Sequence, residues 1–195
     1  GAMLFLGGVK YRWFILGGCA MLLGLILILG AGGYEASRIT AWQDPFSDPT
    51  DDGYQIIQSL YAIGSGGLFG LGFGQGRQKY LYLPEEHNDY IFSIACEELG
   101  LTGAAAILLL YALLILRGYW ISMHIRDRFL SLTVAGITTL TALQVFFNIG
   151  VVTNLLPSTG ISLPFFSYGG TALLIQLGEM GIILGASRQC SAGFL

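Results

Sequence analysis

Between Lys79 and Gly100 the sequence reads KYLYLPEEHNDYIFSIACEELG, and Glu85, Glu86, His87 and Asp89 fall within five residues of one another. Carboxylates of this kind can take a proton from an attacking hydroxyl as general base. The same stretch then enters an apolar run that still contains Glu97 and Glu98. Ionisable groups at the lip of a hydrophobic segment are costly to keep unless something uses them. If the run is helical, Asp89, Ser93, Cys96 and Gly100 share one face, with Glu97 beside it and Glu98 roughly opposite Asp89. At 1.5 Å per residue Glu97 then lies about 12 Å deeper than Asp89. Glu97 and Glu98 are therefore a different kind of site, read as structural anchors that bond neighbouring backbone or an Arg or Lys. A proton path is the lesser reading. Asp89 is placed in the first turn, where the helix dipole favours its ionised form by about 0.3–1 kcal/mol. Burial at the lip pushes the other way, and the sequence leaves that balance open.

The elements that must position these groups are membrane helices. The 195 residues are 54% hydrophobic and 11% charged, against about 25% charged in soluble domains. Residues 13–33, 90–116, 130–152 and 167–186 are apolar runs of about the 20 residues needed to cross a bilayer. The expected fold is thus an all-α polytopic membrane protein with four transmembrane helices. Gly1-Ala2 ahead of Met3 reads as a tag-cleavage scar, and 1–12 as a lead-in. Residues 34–89 form a long acidic, Gly-rich loop in which Ile56, Leu60 and Ile63 share a helical face. That segment is too short to span, so a short interfacial or re-entrant helix is expected. A basic loop fills 117–129, a Pro-rich loop 153–166, and a tail 187–195. Lys10 and Arg12, then Arg117, Arg126 and Arg128, then Arg188 all fall on one side if there are four spans. By the positive-inside rule that side is cytoplasmic, as are both termini, and the 34–89 and 153–166 loops face outward.

The glycines of residues 64–76 echo a dinucleotide fingerprint only superficially. No strand precedes them, and no GK[ST] marks a phosphate loop. A tight turn that lets backbone approach backbone, or a ligand headgroup, is the better reading. In the third span Thr141, Gln144 and Asn148 line one helical face, and in the fourth Gln176 and Glu179 lie one turn apart. Such groups usually hydrogen-bond between helices, which is favoured here over ligand contact. Cys19, Cys96 and Cys190 show no CxxC spacing and read as small apolar side chains. A net charge of −3 without an Arg/Lys cluster gives no sign of nucleic-acid binding. His87 has no second histidine nearby to suggest a metal site, and no metal is assigned.

Three separated motifs carry a resemblance. The first is Asp44-Pro45-Phe46, Asp48-Pro49, Gly53-Tyr54-Gln55, Gln58-Ser59 and Ala62-Ile63-Gly64-Ser65-Gly66-Gly67. The second is Leu83-Pro84-Glu85-x-His87-x-Asp89-Tyr90-Ile91-Phe92 with Glu97-Glu98-Leu99-Gly100. The third is Leu156-Pro157-x-Thr159-Gly160-x-x-Leu163-Pro164-Phe165-x-Ser167-Tyr168-Gly169-Gly170. Together they resemble the SEDS family (FtsW, RodA and SpoVE), and Gln75-Gly76-Arg77-Gln78-Lys79-Tyr80 looks closer to the FtsW/SpoVE branch. The match covers the last four of the family's ten helices, with a trace of the sixth at 4–8. The chain therefore looks like a C-terminal half and is expected to be inactive alone. Asn88 departs from the Thr usual in the family's HTD motif and leaves the Asp in place.

The resemblance implies a peptidoglycan glycosyltransferase of the bacterial plasma membrane, active in cell division or cell shape. It would polymerise lipid II at the outer face, with a class B penicillin-binding protein (a transpeptidase) and other division or elongation proteins as partners. The family's essential acidic residue maps onto Asp89, which would be the general base. Because lipid-linked pyrophosphate already leaves readily, one carboxylate can suffice where glycosidases need two. The leaving pyrophosphate does need positive charge, from Arg, Lys or a divalent cation such as Mg2+ or Mn2+. Arg77 and Lys79 are the candidates, with Glu85 and His87 as headgroup contacts. Pro157, Pro164 and Ser167 mark a partner loop. Two other classes compete: a lipid II transporter, motivated by Glu97 and Glu98 in the span, and a scaffold that recruits the transpeptidase.

Overall fold

The computed structural model describes residues 8, 10–30, 39, 41–47, 52–76 and 89–191. Within these lie five α-helices: α1 (Tyr11–Gly30), α2 (Asp52–Gly66), α3 (Ile91–His124), α4 (Arg128–Val152) and α5 (Gly170–Ser191). A short 3-10 turn, Pro45–Ser47, precedes α2. No strand occurs among the described residues. Helices α3, α4 and α5 are each long and apolar enough to cross a membrane. With the 20-residue apolar α1 they make the polytopic helical membrane architecture that composition predicts.

Helix α3 is the axis of the fold. Its 34 residues would extend about 50 Å as one straight helix, well beyond a hydrocarbon core of about 30 Å. It packs mainly on α2 and α4. The helix runs on through His124, so the basic loop expected over 117–129 shrinks to residues 125–127. The reason lies in Arg117, whose guanidinium sits 4.3 Å from the centre of the Trp120 ring. Trp120 in turn stacks on His124 at 4.2 Å. A cation covered by an indole can ride on the helix surface instead of ending the helix. Asp127 then starts α4, its carboxylate accepting from the Phe129 N–H at 3.1 Å, a standard N-terminal cap.

Small and polar residues bring α3 and α4 together. A Cβ on Gly118 would run into the Thr138 hydroxyl. Ser122 and Ser131 exchange bonds from each hydroxyl to the other's carbonyl, at 2.9 and 2.7 Å. Tyr119 and Thr139 pair their hydroxyls at 2.9 Å. Between apolar helices such contacts supply the attraction that water cannot. Ile121, Ile125, Val134, Ile183 and Ala186 close the core at this end. At the opposite end Tyr90, Phe92, Val145, Val151, Val152 and Leu163 belong to the larger core cluster.

The segment of α2 is not a span. It buries Ile56, Ile57 and Ala62, and Ser59 is 0% exposed. The Ser59 hydroxyl meets Ser93 of α3 at 2.7 Å and donates to the Val152 carbonyl of α4 at 2.8 Å. A 15-residue helix is thereby wedged against both long helices.

Residues 66–76 then plug a break in α3. Gly100 has φ 68° and ψ −169°, which interrupts the helical ladder. In an unbroken helix Leu101 N–H would donate to Glu97 and Thr102 N–H to Glu98. Instead they donate to the Gly67 and Leu68 carbonyls at 2.9 and 3.1 Å. The released Glu97 and Glu98 carbonyls accept from Leu71 and Gly72 at 3.0 and 3.1 Å. Four backbone groups freed by the break are thus paired with protein, as non-helical backbone at membrane depth requires. Only glycine permits the approach. A Cβ on Gly66, Gly70 or Gly100 would overlap backbone of the facing segment.

Candidate functional site

Asp89 lies in the turn that leads into α3, half-buried, with Tyr90 at the helix cap position. The Tyr90 side chain is 2% exposed and roots this turn in the core. Asp89 thus directly precedes the cap residue, at the positive end of the α3 dipole.

Two other segments close on Asp89. Asn148 of α4, 1% exposed, donates through Nδ2 to the Asp89 carbonyl and to the Ile161 carbonyl, both at 2.8 Å. Next to Ile161, Gly160 is left-handed at φ 65°, and a Cβ placed on it would lie 3.5 Å from Asp89 Oδ2. The α4–α5 loop is thus one wall of the space around the Asp89 carboxylate.

That loop is clamped from several sides. Asn154 takes a left-handed conformation at φ 57° to end α4, as asparagine tolerates, and its carbonyl accepts from Trp42 Nε1 at 3.1 Å. The Leu163 N–H donates to the Ser167 hydroxyl at 2.7 Å, and the Phe165 N–H to Gln176 Oε1 of α5 at 2.8 Å. Tyr111 of α3 donates to the Pro164 carbonyl. Between these ties Phe165 sits at φ 65°, a conformation a bulky residue holds only when its surroundings force it. The wall beside Asp89 is therefore rigidly mounted.

Of the residues singled out in the sequence, Asp89 and Asn148 come together at this seam. Gln144 is half-buried on α4, and the Thr141 hydroxyl turns back to Ile137 of its own helix at 3.1 Å. Pro157 is half-buried, Pro164 is buried, and Ser167 serves the loop's internal bond. Glu97 is 1% and Glu98 9% exposed. Both reach the Gly-rich segment: Glu98 Oε2 accepts from the Gly74 N–H at 3.0 Å. A Cβ on Gly76 would sit 3.0 Å from Glu97 Oε2 and 3.1 Å from Glu98 Oε1. Adjacent helical residues point about 100° apart, and a strand of backbone passing between them touches both. Arg77, Lys79, Glu85 and His87 lie outside the described residues.

Sequence reading passed over Tyr111, Trp42 and Ile161. Tyr111 had one available signal, a phenol within an otherwise aliphatic run, which needs a partner when buried. Ile161 contributes only a carbonyl and leaves no mark in side-chain pattern. Among the described residues no group of three or more His, Cys, Asp or Glu converges.

Comparison with known proteins gives the same outline. The model of a family described as "Cell cycle protein", spanning FtsW, RodA and SpoVE, matches residues 1–192. The chain is 47% identical over 186 residues to stage V sporulation protein E of Bacillus subtilis, covering 95% of this chain and 51% of that one. It is 44% identical over 187 residues to the probable peptidoglycan glycosyltransferase FtsW of a Geobacter species, covering 96% and 51%. A solved structure concerned with coordination of polymerization and crosslinking by a peptidoglycan synthase complex matches at TM-score 0.71 and 30% identity. That match covers 95% of this chain and 52% of the other. A mutant of the rod shape determining protein RodA from Thermus thermophilus matches at TM-score 0.52 and 34% identity, over 67% of this chain and 39% of its own. The chain thus spans about half the length of the curated relatives it matches.

Proposed function

Because the chain belongs to the FtsW/RodA/SpoVE family of cell cycle proteins, we propose that it is part of a peptidoglycan glycosyltransferase that polymerises lipid II at the outer face of the bacterial plasma membrane. The observation that carries this reading is the seam at Asp89. The Asp89 carboxylate stands at a helix N-terminus, with its residue's backbone carbonyl held by Asn148 and Gly160 of a clamped loop facing its Oδ2. Curated relatives named as probable peptidoglycan glycosyltransferases support the reaction class.

In the proposed reaction an acceptor hydroxyl oxygen forms a bond to the anomeric carbon of the donor sugar. The bond from that carbon to the pyrophosphate oxygen breaks, and the lipid pyrophosphate leaves with the electron pair. The hydroxyl proton passes to the Asp89 carboxylate. General base assistance of this kind contributes about 10²–10⁴-fold. Arg77 and Lys79 offset the charge on the leaving pyrophosphate, Glu85 and His87 contact the headgroup, and a divalent cation such as Mg2+ or Mn2+ would supply like charge. Both termini lie on the cytoplasmic side, by the distribution of Arg and Lys. The α4–α5 loop faces outward with Pro157 and Ser167 at its surface toward a class B penicillin-binding partner, a pairing that the peptidoglycan synthase complex among the relatives supports.

The transport reading rests on the ionisable groups within α3. Glu98 has a structural task in fastening the Gly74 N–H, which supports anchoring over conduction. The deciding experiment supplies purified lipid II to a chain of the relatives' full length together with its penicillin-binding partner. Glycan strands are the expected product. Lipid II crossing vesicle membranes with no polymer formed would replace the polymerase with a transporter.

A further inference from the structure

We propose that Asn148 is a positioning residue for the reaction, a clasp that sets the Asp89 carboxylate against the Gly160 wall. The proposal rests on Asp89 being the base. Both N–H groups of the Asn148 amide are committed, one to the Asp89 carbonyl and one to the Ile161 carbonyl, each at 2.8 Å. The amide orientation follows from its partners, because the flipped form would set its oxygen against two carbonyl oxygens. One side chain therefore joins the start of α3 to the α4–α5 loop.

The cost of keeping this amide points the same way. Asn148 is 1% exposed, and its buried Oδ1 has no hydrogen-bond partner among the described residues. An apolar side chain of similar volume would carry no such unmet acceptor. What the amide alone provides is the double tie. Two residues bracket the reacting space, Asp89 with its Oδ2 and Gly160 with its left-handed turn; Asp89 itself carries one tied carbonyl, and Gly160 directly precedes Ile161, which carries the other. Loosening the clasp lets the Asp89 turn shift relative to the separately mounted Gly160 wall. A misplacement of about 1 Å between reacting groups can lower a rate by about 100-fold.

Its neighbour on the same face supplies the control. Thr141 is equally buried, at 4% exposure, but its hydroxyl bonds only within its own helix. The test measures kcat and KM for lipid II polymerisation within a chain of the relatives' full length, per folded protein. The variants are Asn148→Leu, which keeps the branched outline and drops both donors, and Asn148→Ser, which shortens the side chain to a single donor. The expected result is a kcat lowered by about ten- to hundredfold in Asn148→Leu, with KM changed less than about twofold. Asn148→Ser should fall between it and wild type, and Thr141→Val should match wild type. Wild-type kcat in a folded Asn148→Leu overturns the proposal. If Asn148→Leu does not fold, wild-type kcat in Asn148→Ser overturns it equally, as does a rise in KM that accounts for the whole loss. Normal polymerisation by Asp89→Asn would instead remove the base itself, an outcome distinct from an indifferent Asn148.

Discussion

At the scale of single residues, the proposed chemistry turns on the space between Asp89 Oδ2 and Gly160. Gly160 faces it from a left-handed turn, and a Cβ there would come into ordinary contact at 3.5 Å. Gly160→Ala is therefore expected to cost only about 1–2 kcal/mol of stability, the penalty of holding an L-residue in that conformation. Its methyl would nonetheless occupy the space an acceptor hydroxyl needs, lowering the polymerisation rate about tenfold or more. Thermal unfolding and initial rates measured on one preparation check this, and a loss of rate no larger than the loss of folded protein would contradict it. Asp89 was legible in the sequence because its motif is specific and its place before an apolar run is unusual. Asn148 was legible only as a polar residue on a helical face. Its partners are two backbone carbonyls, from segments far apart in sequence, and no side-chain pattern records them. Glu97 and Glu98 read together as anchors to neighbouring backbone or a cation; that one glycine-rich segment reaches both was not legible.

At the scale of elements, the break in α3 and the segment that fills it are one device. The four hydrogen bonds exchanged between residues 67–72 and 97–102 replace those an intact helix would have made. Gly70 and Gly100 combine left-handed backbone with facing backbone at overlap distance. Gly70→Ala and Gly100→Ala should each destabilise the protein by about 3 kcal/mol, summing overpacking and conformational strain. Gly64, within α2 with open space beyond its Cα, is the contrast. Gly64→Ala should leave stability unchanged or raise it slightly, since alanine suits a helix better. Thermal unfolding of the purified variants distinguishes the two classes, and equal midpoints would contradict the plug. The glycine run read correctly as a place where backbone approaches backbone. What it approaches was hidden, because Gly100 lies inside a hydrophobic run whose composition suggests one continuous helix. The extension of α3 past Arg117 was hidden for a related reason. Charge reads as the mark of a loop, but arginine is a good helix former and here it lies over the indole of its own helix.

At the scale of the whole molecule, two cores lie at opposite ends of a helical bundle, and only one carries the seam. Membrane residence was plain from composition, and the family from three separated motifs. The seam was less legible, since it joins the start of α3, the end of α4 and the loop beyond it through backbone atoms. Both ends use the same physics, small residues and hydroxyls drawing apolar helices together. The end at Asp89 adds a clamped wall and the Asp89 carboxylate. The central claim is that this carboxylate takes the proton of the acceptor hydroxyl. It is tested by the rate of glycan polymerisation from purified lipid II by Asp89→Asn against wild type, in a chain of the relatives' full length with its transpeptidase partner. The account predicts a folded, membrane-inserted variant slower by at least about 100-fold. A variant that polymerises at the wild-type rate would contradict it.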